Sequence, residues 1–279
     1  MPAAPPTDKE DETVTPPLHA EDEFNDARVL VTGAASGIGA ALTQALLERN
    51  ARVMAWDNDA AKLQAMQNDH GGHPRLSTTV VDVSDARAVK AAAAQAERSL
   101  GAIDKLACVA GILQIGNIVD LSDEQWSRVF AVNTHGVFNV CRTVAPGMIA
   151  RRQGAIVNVS SNAAGTPRMG MGAYAASKAA VSQLSRCLGL ELAEYGIRVN
   201  IVSPGSTDTE MQRAMWRQGS SLDTVLDGAP ASYRLGIPLR KIATPQEIAQ
   251  SILFLLSDQA SHITLHDLRV DGGATLDQR

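Results

Sequence analysis

A chain of 279 residues with 45% apolar and 20% charged side chains can bury one large core or two small ones. Its formal net charge of -5 gives it no electrostatic reason to bind nucleic acid or an anionic membrane. It has no basic tract, no apolar run approaching about 18 residues and no basic-then-apolar leader, and its cysteines (Cys108, Cys141, Cys187) stand far apart in apolar contexts. A cytoplasmic chain with reduced, buried thiols is therefore expected.

In chain order, residues 1–27 form a separate compositional zone with eight acidic residues, one Lys and five prolines. So polar a segment cannot offset its ordering entropy by burial, and a flexible tail is expected, or a docking arm for a partner. From residue 28 the pattern is strand, Gly turn, helix, and it repeats. Apolar runs predict strands at 28–31, 52–56, 77–81, 105–109, 155–159, 197–202 and 264–270. Helices are predicted from the Gly turn to about 50, over 59–68 and 86–100, from Ser122 onward, up to about 195, and from Thr244. Ser122 with Gln125 reads as a capping box, and Thr244-Pro245-Gln246-Glu247 combines an N-cap, a first-turn Pro and a capping-box Glu. Apolar strands alternating with helices predict a single α/β, doubly wound (Rossmann) domain over 28–279, a seven-stranded parallel sheet with helices on both faces. The long aperiodic segment at about 203–243 is expected to be an irregular substrate lid.

Gly33-x-x-x-Gly37-x-Gly39 lies between the first strand and the first helix. Glycines there permit a tight turn and close backbone approach, and the helix N-terminus offers free N–H groups to a pyrophosphate. Asp57 ends the second strand about 20 residues on, where a carboxylate accepts from adenosine ribose hydroxyls and repels a 2′-phosphate. No Arg or Lys occupies 34–36 or follows Asp57 directly, so NAD rather than NADP is expected. Asp82, after the third strand, is read either as an adenine contact or as a helix-capping residue near Ser84. The histidines lack a carboxylate cluster, and no metal site is expected.

The stretch 160–178 runs out of a strand, through a Gly-rich turn, into a helix carrying Tyr174 and Lys178. Four residues apart, both side chains lie on one helix face. An ammonium beside a phenol would lower the phenol's pKa toward neutrality, and with Ser161 upstream this is the grouping an alcohol dehydrogenase needs. Ser160 is the competing hydroxyl.

With these pieces the chain resembles the short-chain dehydrogenase/reductase family over 27–273. The resemblance is carried by Thr32-Gly33-x-x-x-Gly37-x-Gly39, Asp82, Ala110-Gly111, Asn133, Ser161, Tyr174-x-x-x-Lys178, Ser203-Pro204-Gly205 and Asp271-Gly272-Gly273. Cys108-Val109 departs from the Asn-Asn that the family commonly places before Ala-Gly. The resemblance implies catalysis by Asn133, Ser161, Tyr174 and Lys178, with Asn133 supporting a water that leads from Lys178 to solvent. It implies NAD contacts from Gly33, Ser36, Gly37, Ile38 and Gly39 at the first turn, and from Asp57, Asp82 and Val83 at the adenosine end. Further contacts are implied from Ala110, Gly111, Tyr174, Lys178, Pro204, Gly205 and Thr207. A homotetramer is implied as well.

A narrower resemblance, carried by 163–171, 203–213, 235–243 and 261–267, is to family members that aromatise an anionic cyclic diol. It implies substrate contacts from Ser161, Arg168, Met171, Tyr174, Gln212 and Arg213. Arg168 is the first candidate for the substrate carboxylate, with a surface or interface salt bridge as its competing role; Gln212 and Arg213 are the other candidates. Met169, Met171, Met211 and Met215 are expected to line an apolar pocket or to fill core gaps. Two other readings stay open, a reductase for another cyclic diol or a ketoacyl group, and a non-catalytic NAD-binding module.

Overall fold

The computed structural model describes residues 23–217 and 221–276. Seven strands form one parallel sheet: β1 (Arg28–Thr32), β2 (Arg52–Asp57), β3 (Leu76–Val80), β4 (Lys105–Cys108), β5 (Gly154–Val159), β6 (Ile197–Pro204) and β9 (Asp267–Val270). Their spatial order is β3-β2-β1-β4-β5-β6-β9. The order reverses between β1 and β4, which pair from Val29↔Lys105 to Thr32↔Cys108, and a crevice opens beyond their C-terminal ends.

Side-chain alternation explains why both faces are covered. On β1, Val29 and Val31 join one buried cluster with helices α1 (Gly37–Leu47), α2 (Ala60–Asp69) and α9 (Pro245–Leu256), while Leu30 joins the other. On β2, Val53 and Ala55 face the first cluster, and Met54 and Trp56 the second. The second cluster holds α3 (Ala86–Leu100), α5 (Gly136–Arg151) and α6 (Gly172–Ala193). A strand buried on both faces must be apolar at odd and even positions alike, and these are.

The caps hold as local chemistry. Ser122 and Gln125 form a capping box at α4 (Asp123–Phe130), and Thr244 and Glu247 form another at α9. The long helix opened by Ser122 runs on to Arg151 and carries a π-helical turn over Ala131–His135 between α4 and α5 (Gly136–Arg151). The last sheet strand is shorter than predicted and begins at Asp267.

Two expectations need correction. Of the tail expected over 1–27, residues 1–22 lie outside the described residues, but 23–27 are packed. Phe24 is 3% exposed, sits in the core cluster and lies under the Lys105 ammonium at 5.1 Å. Glu23 accepts from the backbone N–H of Asp258, and Asp26 pairs with Arg52 and Arg75. The apolar side chain that anchors this hook was hidden among acidic neighbours. The segment 203–243, expected to be an irregular lid, is not irregular either. It carries α7 (Glu210–Arg217), α8 (Leu222–Asp227) and an antiparallel pair, β7 (Gly228–Ala229) with β8 (Arg234–Leu235). Its α8 end is anchored by Val225 and Ile237, packed with Ala274 in a small cluster. Elements this short leave too few residues for a period to show in the sequence.

Candidate active site

The crevice has two halves of opposite charge. The first is built on the β1–α1 turn. Gly33 has φ +64, and a Cβ there would stand 2.7 Å from the Ala110 backbone; a Cβ on Gly39 would lie 2.0 Å from the Gly33 carbonyl oxygen. Only glycine lets these three segments meet. Ser36 is the N-cap of α1 in extended conformation, and its side chain makes no cap bond, so the first N–H groups of α1 stay open to an anion. Thr32 Oγ1 accepts from the N–H groups of Val109 and Ala110 at 3.2 and 3.3 Å, which holds the β4 exit against β1.

Asp57 lines this half, its carboxylate fixed by the N–H of Ala35 at 3.0 Å and of Asp59 at 3.1 Å. Asp59, Asp82 and Glu210 line it too, with Lys62 bound to Glu210 at 2.6 Å. Asp82 Oδ1 accepts from the N–H and hydroxyl of Ser84 at 2.9 and 2.7 Å, and the N-cap of α3 is Asp85 instead. Val83 gives its carbonyl to Asn139 at 3.1 Å and packs its side chain against Gly136. Ser36, Gly37, Ile38, Val83, Ala110 and Gly111 complete this wall.

The second half lies at the C-terminal ends of β4, β5 and β6. Ser161, Tyr174 and Lys178 line it with Arg168, Met171 and Gln212. Pro204, Gly205 and Thr207 form its floor at the end of β6. Ile38, Val109, Gly111, Thr209 and Met211 border both halves, so the crevice is continuous. An extended dinucleotide fits that shape, with phosphates at the glycine turn and one end beside Tyr174.

The two serines separate clearly. Ser160 spends its hydroxyl on the Lys178 carbonyl at 3.0 Å and on Ser182 at 2.8 Å. Ser161 caps the short turn Asn162–Ala164, accepting from Ala163 N–H at 3.1 Å, which leaves its own O–H to donate. Burial pushes the Tyr174 phenol above its ordinary value, and the neighbouring Ser161 hydroxyl pulls it partly back. Burial pushes the Lys178 ammonium down to about 8. Lys178 donates to the Val159 carbonyl at 2.8 Å, and its nitrogen is 5.9 Å from the Tyr174 ring centroid. The hydrogen bond of Lys178 thus goes to the end of β5, with its charge kept beside the phenol ring.

Asn133 is fully buried in the π-helical turn. Its side chain accepts from Ile112 N–H at 2.8 Å and donates to the Ile112 carbonyl at 3.0 Å and to Ser177 Oγ at 2.9 Å. The amide is therefore committed to shaping the loop after β4.

Among the substrate candidates, Arg213 does not face the crevice. It is exposed and doubly bonded to Asp208, at 2.8 and 2.9 Å. A residue the sequence did not single out takes a place there, Arg234 of β8, whose guanidinium donates to Ser206 Oγ at 3.0 Å. No sequence signal marks it, because its two-residue strand has no period. Met211 and Met215 join Met171 in the lining, while Met169 is exposed at the outer mouth. Among the described residues, no three His, Cys, Asp or Glu side chains are grouped to hold a metal, and no helix is long and apolar enough to cross a membrane.

Comparison with known proteins fits this geometry. A family model described as enoyl-(acyl carrier protein) reductase matches residues 33–275. A solved structure described as a short chain dehydrogenase/reductase family protein superposes with a TM-score of 0.80 at 33% identity, covering 90% of this chain and 98% of that one. The chain belongs to the short-chain dehydrogenase/reductase family. It is 49% identical over 247 residues to the 2,3-dihydro-2,3-dihydroxybenzoate dehydrogenase of Bacillus subtilis (strain 168), covering 88% of this chain and 95% of that protein. It is 48% identical over 254 residues to the vibriobactin-specific 2,3-dihydro-2,3-dihydroxybenzoate dehydrogenase of Vibrio cholerae, covering 90% of this chain and 97% of that protein. A family dehydrogenase uses a nicotinamide cofactor, and the glycine cradle and open α1 terminus suit one.

Proposed function

We propose that this protein oxidises 2,3-dihydro-2,3-dihydroxybenzoate to 2,3-dihydroxybenzoate, a catecholate siderophore precursor, with NAD. The observation that carries the reading is the wall of the catalytic half. Ser161, Tyr174 and Lys178 stand beside Arg168, and no Asp or Glu is among the lining residues. Such a pocket accepts an anionic alcohol.

Tyr174 as phenolate takes the proton from a ring hydroxyl. Ser161 donates to the same oxygen as it becomes a carbonyl. Lys178 supplies a buried positive charge next to the phenol; with its ammonium near 8 it is mostly protonated at neutral pH. Asn133 ties down the loop after β4, whose Gly111 adjoins the Lys178 ammonium. NAD, when bound, accepts the hydride. The dienone left behind tautomerises to an aromatic ring, which makes the oxidation strongly favourable. Gly33, Ser36, Gly37 and Ile38 would hold the pyrophosphate, Gly39 packing behind them against the Gly33 carbonyl, and Asp57 would accept from the adenosine ribose. The acidic adenosine half repels a 2′-phosphate, which supports NAD over NADP.

We place the protein in the cytoplasm as a homotetramer. The exposed apolar side chains of Phe138 on α5 and Leu190 on α6, at 43% and 68% exposure, support an interface across those helices. The test of function is cofactor reduction with the dihydrodiol, compared across NAD and NADP and against reduction of a 3-ketoacyl thioester. The reading expects fast turnover only with dihydrodiol and NAD; no NAD-dependent turnover of the dihydrodiol would reject it.

A further inference from the structure

The lid places a second guanidinium, from Arg234, in the wall that already holds Arg168. The two come from separate parts of the fold. Arg168 sits on the turn before α6, whereas Arg234 belongs to the β7–β8 hairpin. Both also border the adjoining outer mouth, with Met171 and Met215, so they stand at the junction between mouth and crevice. Burial pushes both guanidinium groups down from their ordinary values, and Arg168's charge depresses Arg234 further. The acid whose charge reaches Arg168 is Asp271, and its carboxylate is occupied. It accepts from Thr275 at 2.6 Å, Gly273 N–H at 3.0 Å and Asn162 at 3.2 Å.

A third group points to a missing ligand independently of charge. Gln212 of α7 is only 7% exposed, lines the same wall, and its amide nitrogen is buried without any hydrogen-bond partner. A buried donor left unmade is costly unless something arrives to accept from it. Two like charges held together in a partly dry wall carry the same implication.

We infer that Arg234, Arg168 and the Gln212 amide form one carboxylate clamp, bridging the β7–β8 hairpin and the turn before α6, that selects an anionic ring. The inference rests on the proposed reading of this site and adds Arg234 to it. Each guanidinium meets one carboxylate edge, and the Gln212 N–H gains its acceptor. The clamp makes binding depend on the ligand's charge, because only an anion relieves the repulsion between the two arginines.

The experiment uses the full chain, with wild type, Arg234→Met, Arg234→Lys and Ser206→Ala. The substrates are 2,3-dihydro-2,3-dihydroxybenzoate and the neutral cyclohexa-3,5-diene-1,2-diol; the binding probes are 2,3-dihydroxybenzoate and catechol, by calorimetry. Arg234→Met is expected to lower kcat/KM for the acid roughly 10- to 100-fold, mostly through KM, and to change the neutral diol less than about threefold. Arg234→Lys recovers part of the loss, and Ser206→Ala, which removes only the hydroxyl that positions Arg234, keeps most of the preference. Equal effects on both substrates, or none on either, overturn the clamp. Where Arg234→Met fails to fold, Arg168→Met read by the same ratio decides. Binding separates this inference from the proposed function: a wild type that does not oxidise the acid, yet binds 2,3-dihydroxybenzoate over catechol through Arg234, keeps the clamp and loses the function. A wild type that turns over the acid without Arg234-dependent discrimination does the reverse.

Discussion

Lys178 aims its ammonium at the carbonyl oxygen of Val159, 2.8 Å away, while the ring of its helix neighbour Tyr174 lies with its centroid 5.9 Å from the same nitrogen. One turn of α6 thus carries both groups, yet the hydrogen bond of the lysine goes to the end of β5. The strand carbonyl fixes the ammonium in place and offsets part of its desolvation, so a charge can be kept beside the phenol in a buried wall.

The pH dependence of stability follows from that burial. Lys178 is pushed from an ordinary 10.5 to about 8 in the folded state. A lysine lowered on folding binds fewer protons folded than unfolded between those values, so stability rises with pH across that window and the penalty is fully present below it. Lys178→Met has no such titration. Denaturant unfolding at pH 7, 8.5 and 10 is therefore expected to show wild type gaining on the variant by up to about 3 kcal/mol as pH rises. A pH-independent difference contradicts the assignment.

Cofactor choice is expected to turn on Asp57. Replacing it with Ala removes the ribose acceptor and the repulsion of a 2′-phosphate, but also the bonds to Ala35 and Asp59 N–H. The KM for NAD should rise about tenfold, as for the loss of roughly one charged hydrogen bond, while turnover with NADP rises. Initial rates with both cofactors check this; unchanged NAD preference counts against it.

Asn133→Ala deletes three bonds at once and leaves the N–H and carbonyl of Ile112 unsatisfied. A cost of about 2–3 kcal/mol in unfolding free energy is expected. Asn133→Asp keeps the acceptor for Ile112 N–H and loses both donors, so it should be no more stable than wild type. Chemical denaturation of the two variants reads both statements.

The N-terminal hook should matter to stability in the same way as a core position. Phe24→Ala is expected to cost about 3–5 kcal/mol, as for other buried aromatics. Thermal unfolding measures it, and a change under about 0.5 kcal/mol would return residues 23–27 to the tail.

What was legible in the sequence was local or periodic. The capping boxes at Ser122 and Thr244 use residues three apart, the glycine turn follows directly from β1, and Tyr174 and Lys178 share one helix face. The two-sided burial of β1 and β2 showed as unbroken apolar runs. What was not legible depends on distant partners. The π-helical turn is held by Asn133 reaching Ile112 and Ser177, 21 and 44 residues away. Arg213 looked available on the lid until Asp208, five residues before it, was seen to hold it. Arg234 reaches the wall because Ser206, 28 residues earlier, accepts its guanidinium. Phe24 was invisible because one apolar residue among acids gives no pattern.

In the proposed reaction Tyr174 is the proton acceptor in an NAD-dependent oxidation of the dihydrodiol. The most direct measurement is NADH formation from 2,3-dihydro-2,3-dihydroxybenzoate by wild type and Tyr174→Phe, with NAD binding to each followed by calorimetry. The variant is expected to bind NAD as wild type does, and its kcat to fall by about 10²- to 10⁴-fold. A variant that turns over within a few-fold of wild type contradicts it.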